Sequence, residues 1–167
     1  MSKPPQRNTK NSLLAALPDA EYQRLVLHLM SVSVSKGEVL HASDKPVGKV
    51  YFLEQGVASL SVSTEKGESL QLSIVGNESV VGERALFKEG VFIIRCAMIT
   101  EGAGYLMPAD VFHTEFDRGG VLHDLVLSRM EARITETAQT ALCNQMHSIE
   151  QRLSRWLLTF ASAGDRK

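Results

Sequence analysis

The sequence predicts an α+β fold: a double-stranded β-helix (jelly roll) with N-terminal helices and a long C-terminal dimerisation helix. Two observations lead there. Of the 12 glycines, 11 lie within residues 36–120, whereas residues 121–163 run 43 positions without a Gly or Pro. Glycine marks turns and weakens helix interiors, so the first stretch reads as strands and turns and the second as helix. Within residues 31–107 the apolar residues recur in short units with a period near two, which points to a sandwich or barrel, most simply a jelly roll.

Residues 1–10 include Pro4 and Pro5 among mostly polar neighbours and are expected to form a disordered arm. Asn11 is placed to cap a short helix through Leu17. Pro18 and Asp19 open a second helix, in which Tyr22, Leu25, Val26 and Leu29 repeat at three and four. From Ser31 the period changes: Val32 and Val34 alternate with serines, followed by Val39-Leu40-His41 and by units at 50–53, 57–63, 70–75, 92–100 and 104–107. Gly56, Lys66-Gly67, Gly76-Asn77 and Glu101-Gly102 supply turns. Pro108 begins a helical turn through Phe116, which Arg118-Gly119-Gly120 interrupts. The expected organisation is thus an arm over 1–10, a roll with flanking helices over 11–120, a dimerisation helix over 121–146 and a further helix over 147–167.

A continuous helix over 121–163 would reach about 60 Å, beyond the body of a domain this size. Leu122, Val126, Met130, Ile134, Ala138 and Ala141 follow at three- or four-residue steps, flanked by His123, Arg129, Glu131, Arg133 and Glu136. That narrow stripe predicts a homodimer seam of coiled-coil type; the alternative is a helix lying on its own domain. Ser148, with Gln151 three residues on, forms a helix-start signal that divides the run in two near His147.

Composition narrows the function. A net charge of -1 and a pI near 6.5 give no electrostatic footprint for nucleic acid. Cys96 and Cys143 match no disulfide, Cys-x-x-Cys or iron-sulfur spacing, so reduced thiols in a cytoplasmic setting are expected. No apolar run approaches a membrane span, and no secretory leader is visible. Nucleophile motifs, phosphate-cradling Gly loops and paired metal-ligand histidines are missing from the sequence, which argues against an enzyme.

The segment Cys143-Asn144-Gln145-Met146-His147-Ser148-Ile149-Glu150-Gln151-Arg152-Leu153-Ser154-Arg155-Trp156-Leu157-Leu158 resembles the start of the DNA-binding part of Crp/Fnr-type bacterial transcription regulators. Upstream, Val50-Tyr51-Phe52, Glu54-Gln55-Gly56, Ser59-Leu60, Gly67, Ile74-Val75-Gly76 and Val81-Gly82-Glu83 are similar, in order, to that family's cyclic-nucleotide-binding roll. The resemblance implies a sensor roll, a dimer helix and a winged helix-turn-helix. Of the last, only the first helix is expected here, so DNA would be met only through a module missing from the chain, with Trp156, Leu157 and Phe160 as core for it.

The resemblance also implies an effector, a cyclic nucleotide such as cyclic AMP, with its parts at Gly82, Glu83, Arg95, Cys96, Ala97 and Thr137. Glu83 would accept from the ribose and Arg95 would hold the phosphate, because a ring phosphate needs a guanidinium and a ribose hydroxyl a carboxylate. Cys96 stands where the family's Arg-Ser-Ala pattern has Ser, a weaker donor, and the loop of residues 84–94 is about two residues longer than that pattern. Counting back from Arg152 places Thr137 within reach of an adenine. Without a ligand, Glu83 and Arg95 would read as a structural ion pair. Three further readings are a stand-alone interaction domain with a vestigial pocket, a cupin-type metal enzyme, and haem ligation by His123 or Cys143. The second lacks clustered His and Glu, and in the third a surface His and a packed Cys are favoured.

Overall fold

The computed structural model describes residues 9–87 and 93–164. Most of the expected arm, and the start of the strand expected at 92–100, lie outside the described residues. Lys10 itself is tied in: its backbone N–H donates to Glu54 Oε1 at 3.0 Å and its carbonyl accepts from Asn77 Nδ2 at 3.1 Å. Lys10, expected in the arm, is thus held to the roll.

Helices α1 (Ser12–Ala16) and α2 (Asp19–Val26) precede seven strands: β1 (Met30–Val34), β2 (Val39–His41), β3 (Lys49–Gln55), β4 (Ala58–Ser63), β5 (Ser69–Val75), β6 (Arg95–Met98) and β7 (Gly102–Pro108). Among the described residues these form two antiparallel sheets, β1-β7-β3 and β2-β6-β4-β5, the two halves of the expected jelly roll. Asn11 caps α1 as expected, accepting from Leu14 N–H at 3.1 Å. Its amide also donates to the carbonyls of Leu53 and Ser79, which fastens the helix to the roll.

Strand β3 explains where the core sits. Val50, Tyr51, Phe52 and Leu53 are four successive apolar residues, all buried, because this strand is covered on both faces. Tyr51 and Leu53 join Val34, Leu60, Val75, Cys96 and Met98 between the sheets. Val50 and Phe52 face the other way and pack with Leu13, Leu25, Met107 and Phe112. Phe112 belongs to α3 (Ala109–Asp117) and meets Phe52 edge-on at 6.1 Å.

Two carboxylates lock the helices that follow. Glu21 of α2 accepts from the Val121 and Leu122 N–H groups, at 3.0 and 2.8 Å, at the start of α4 (Val121–Met146). A negative charge there satisfies donors the helix leaves open and favours its dipole. Gly120 permits this approach: its φ is +88°, and a Cβ would lie 2.7 Å from Glu21 Oε1. Glu115 of α3, buried, accepts from Arg24 at 2.9 Å and Arg118 at 3.0 Å. Burial pushes its carboxyl pKa up, but the two guanidinium groups outweigh this and hold it below the usual carboxylate range. The resulting stability is present above the unfolded value and is lost as pH falls through the lowered folded one. Urea titrations should therefore show Glu115→Gln less stable than the native chain at pH 7, with the gap narrowing below about pH 4.

The Gly- and Pro-free run is two helices. α4 ends at Met146 and α5 (Ile149–Gly164) begins after an extended His147. The expected start signal forms: Ser148 N–H donates to Gln151 Oε1 at 3.0 Å, and Gln151 N–H to Ser148 Oγ at 3.4 Å. α5 folds back on edge strand β5. Trp156 Nε1 donates to Gln71 at 3.1 Å, Trp156 stacks on Phe160, and Ala163 is buried over Gly76. Within this chain Phe160 thus packs against the roll, Trp156 keeps 37% of its surface exposed beside it, and Leu157 and Leu158 stay exposed.

A side chain at Gly76 would collide with the Ala163 carbonyl. Gly76→Ala should therefore lift the end of α5 at a cost below about 1 kcal/mol, because the core is untouched. The single tryptophan makes this readable: its emission should shift to the red while the melting temperature barely moves.

The stripe on α4 is also used differently from the expectation. Leu122 and Val126 are buried in the chain's own core with Met130 against them, so this part is not available to a partner. Ile134, Ala138 and Ala141 stay exposed and border a cavity.

Candidate functional site

The cavity lies between the roll and α4 and measures about 580 Å³. Leu60 of β4, Leu72 of β5 and Cys96 of β6 form its strand wall, and Met130, Ile134, Thr137 and Ala138 its helix wall. Gly82, Glu83 and Arg84, at the short 3-10 turn Glu83–Leu86 that follows β5, also line it.

Gly82 sets that turn. Its φ is +101°, a conformation that L side chains rarely adopt, and a Cβ would stand 2.7 Å from His41 Nε2 and 2.9 Å from the Lys49 carbonyl. With Gly82 in place, Glu83 points toward α4 and pairs with Arg133. Arg133 also donates to Ser79 Oγ at 3.1 Å and to the Val80 carbonyl at 3.4 Å. The side chains of Arg133 and Glu83 are only 15% and 11% exposed. One ion pair thus joins the roll to the long helix in a largely water-excluded place, where each charge depends on the other.

Cys96 contributes a thiol that stays protonated. Burial pushes its pKa up to about 12, Glu83 adds to the rise, and Arg133 with Arg95 only partly counters it. His41 lies on the wall beside Tyr51, edge-on at 5.8 Å. Burial lowers its pKa against the raising effects of Glu83 and the Val81 backbone, which favours the neutral ring. Thr140 bonds its own helix, donating to the Glu136 carbonyl at 2.8 Å, whereas Thr137 lines the cavity and among the described residues its hydroxyl makes no such bond.

Of the sequence-derived site residues, Gly82, Glu83, Cys96 and Thr137 come together on the cavity wall. Arg95 and Ala97 are not on it: strand alternation puts Cys96 inward, while Arg95 pairs across from Ser61 and Ala97 across from Ser59. The ion pair made by Glu83 is with Arg133, not Arg95. Arg133 was visible in the sequence only as a charge flanking the stripe. Its position one turn before Thr137, on the same helix face, was the available signal. A cyclic nucleotide therefore fits the described wall in part: the carboxylate and the helix hydroxyl are present, but the carboxylate is engaged and the expected phosphate anchor is elsewhere.

Among the described residues no three His, Cys, Asp or Glu side chains gather where they could hold a metal. Both cysteines are free and buried. His123 pairs with Asp124 at 3.0 Å, and Cys143 lies 20 residues further along the same helix. At about 1.5 Å per residue the two are about 30 Å apart. Among the described residues no helix is long and apolar enough to cross a membrane.

Comparison with known proteins agrees with this architecture. A search among curated proteins gives no match. Among solved structures, a regulator described as Crp/Fnr family from Eubacterium rectale is similar at TM-score 0.76 and 14% identity, over 90% of this chain and 70% of that one. The c-di-GMP responsive global regulator CLP of Xanthomonas campestris is similar at TM-score 0.69 and 16% identity, over 84% of this chain and 70% of that one. A regulatory subunit of a cAMP-independent protein kinase A from Trypanosoma cruzi, bound to guanosine, is similar at TM-score 0.56 and 18% identity, over 68% of this chain and 39% of that one. Residues 31–118 match the cyclic nucleotide-binding domain, which is more than half of the sequence. The chain therefore belongs to the cyclic nucleotide-binding domain family, built on the fold of the Crp/Fnr regulators.

Proposed function

We propose that this chain is the effector-sensing and dimerisation region of a Crp/Fnr-like transcription regulator, not an enzyme, and that it works in the cytoplasm. The observation that carries the reading is the Glu83–Arg133 pair on the cavity wall, because it joins the sensing roll to the output helix. A small molecule in that cavity touches both at once. Binding that favours one seating of α4 over another shifts the population of two arrangements, and α5 follows through the joint at His147 and Ser148. DNA contact is assigned to a reading module carried beyond α5.

The dimer seam is assigned to Leu127, Ile134, Leu142 and Met146. They are 45%, 70%, 54% and 69% exposed and share one side of α4. Sedimentation should show a dimer at tens of micromolar. Leu142→Asp should give a folded monomer, and a wild-type monomer would reject the seam.

The fold alone does not name the effector, since it is shared by a c-di-GMP responsive regulator and by a protein bound to guanosine. Cyclic AMP is the first ligand to test. Heat of binding and a thermal shift at millimolar cyclic AMP, both lost in Glu83→Ala, would support a cyclic-nucleotide sensor; neither signal would remove that version.

A further inference from the structure

We infer that the cavity between the roll and α4 takes a neutral, largely apolar molecule carrying one hydroxyl, in place of an anionic cyclic nucleotide. The inference rests on reading the cavity as an effector site. Its walls come first: Leu60, Leu72, Phe87 and Ile94 on the roll face Met130 and Ile134 on the helix. A volume of about 580 Å³ lies within the usual range for small-molecule sites, roughly 300 to 1,000 Å³, which pair apolar walls with a few placed polar groups.

The one ion pair on the wall is already balanced. Glu83 and Arg133 neutralise each other inside the protein, and Arg84 has interactions of its own. An anion seated at that pair would have to be stripped of water and then either lie against the Glu83 carboxylate or take Arg133 from it, leaving a buried carboxylate without its partner. A neutral ligand avoids both costs. Among the described residues three hydrogen-bonding groups remain for it: the Thr137 hydroxyl, unused by its own helix, Oε2 of Glu83, the oxygen not bonded by Arg133, and His41 Nε2, buried without a partner. A carboxylate oxygen only accepts, so the ligand must donate, and a hydroxyl does so without bringing charge. The protonated thiol of Cys96 and the neutral ring of His41 add polarity but no charge to the same wall.

Calorimetry on the purified chain at pH 7 separates the classes with three probes: 2-naphthol, 2-naphthoate with the same flat body and an anionic head, and cyclic AMP. The expected result is binding of 2-naphthol, with 2-naphthoate weaker by at least about tenfold and no heat from cyclic AMP at millimolar concentration. Thr137→Val should weaken 2-naphthol about fivefold without moving the melting temperature. Ala138→Trp, which fills the helix wall, should abolish binding while circular dichroism shows the fold intact. Binding of cyclic AMP or 2-naphthoate as tightly as 2-naphthol would overturn the ligand class and leave the effector site standing. Retention of 2-naphthol by Ala138→Trp would place the binding elsewhere and overturn the inference. Silence from all three probes would overturn it too, while the link between roll and helix is judged separately by hydrogen exchange.

Discussion

Arg133→Met should destabilise the chain by about 3 to 5 kcal/mol, the usual cost of removing one partner of a buried ion pair. Glu83 is 9% exposed, so the carboxylate left behind cannot recover its water. For a domain of this size the melting temperature should fall by on the order of 10 °C. The diagnostic step is the double variant. Glu83→Gln with Arg133→Met removes both charges, and most of the lost stability should return because no buried charge remains uncompensated. If Glu83→Gln did not rescue Arg133→Met, Arg133 would be acting through packing, and its link to the roll would lose its electrostatic basis.

Phe112→Ala should cost a similar amount, about 3 to 5 kcal/mol, for a different reason. Phe112 is fully buried, meets Phe52 of the roll edge-on, and shares its cluster with Leu122 and Val126 of α4. Truncation opens a cavity where roll, α3 and the base of the long helix meet, and the rigid strand β3 cannot collapse into it. Denaturant melts should show the loss. Loosening of the base of α4 should also weaken any ligand held by its middle, so binding and stability should fall together in this variant. Arg133→Met would instead spare the apolar walls.

The roll was legible because glycine turns and a two-residue period are local signals, and so was the break at Ser148, a capping pattern confined to four residues. Strand β3 was readable as a strand, but its burial on both faces depended on helices packing over the roll. The stripe on α4 had the right spacing for a seam, yet spacing alone does not say what covers it. Leu122 and Val126 are covered by the chain itself because Glu21 fixes the start of α4 against α2, and that contact spans 101 residues of sequence. The site divided along similar lines. Gly82, Glu83, Cys96 and Thr137 were named through the resemblance to the family's pattern, and all four line the cavity. Arg133 escaped notice because its meaning lies in a partner 50 residues away. Arg95 carried the family pattern, but strand alternation turns inward its neighbour Cys96 instead.

The central claim is that roll and long helix are coupled across the cavity through Glu83 and Arg133. Amide hydrogen exchange on the Glu83→Gln, Arg133→Met double variant measures this most directly, because the variant keeps near-native stability without the clamp. Exchange should quicken together in residues 81–85 and 130–141 while the amides of α1 and α2 keep their native rates. Native exchange rates in both segments would contradict the claim, since the two elements would then be held together without the pair.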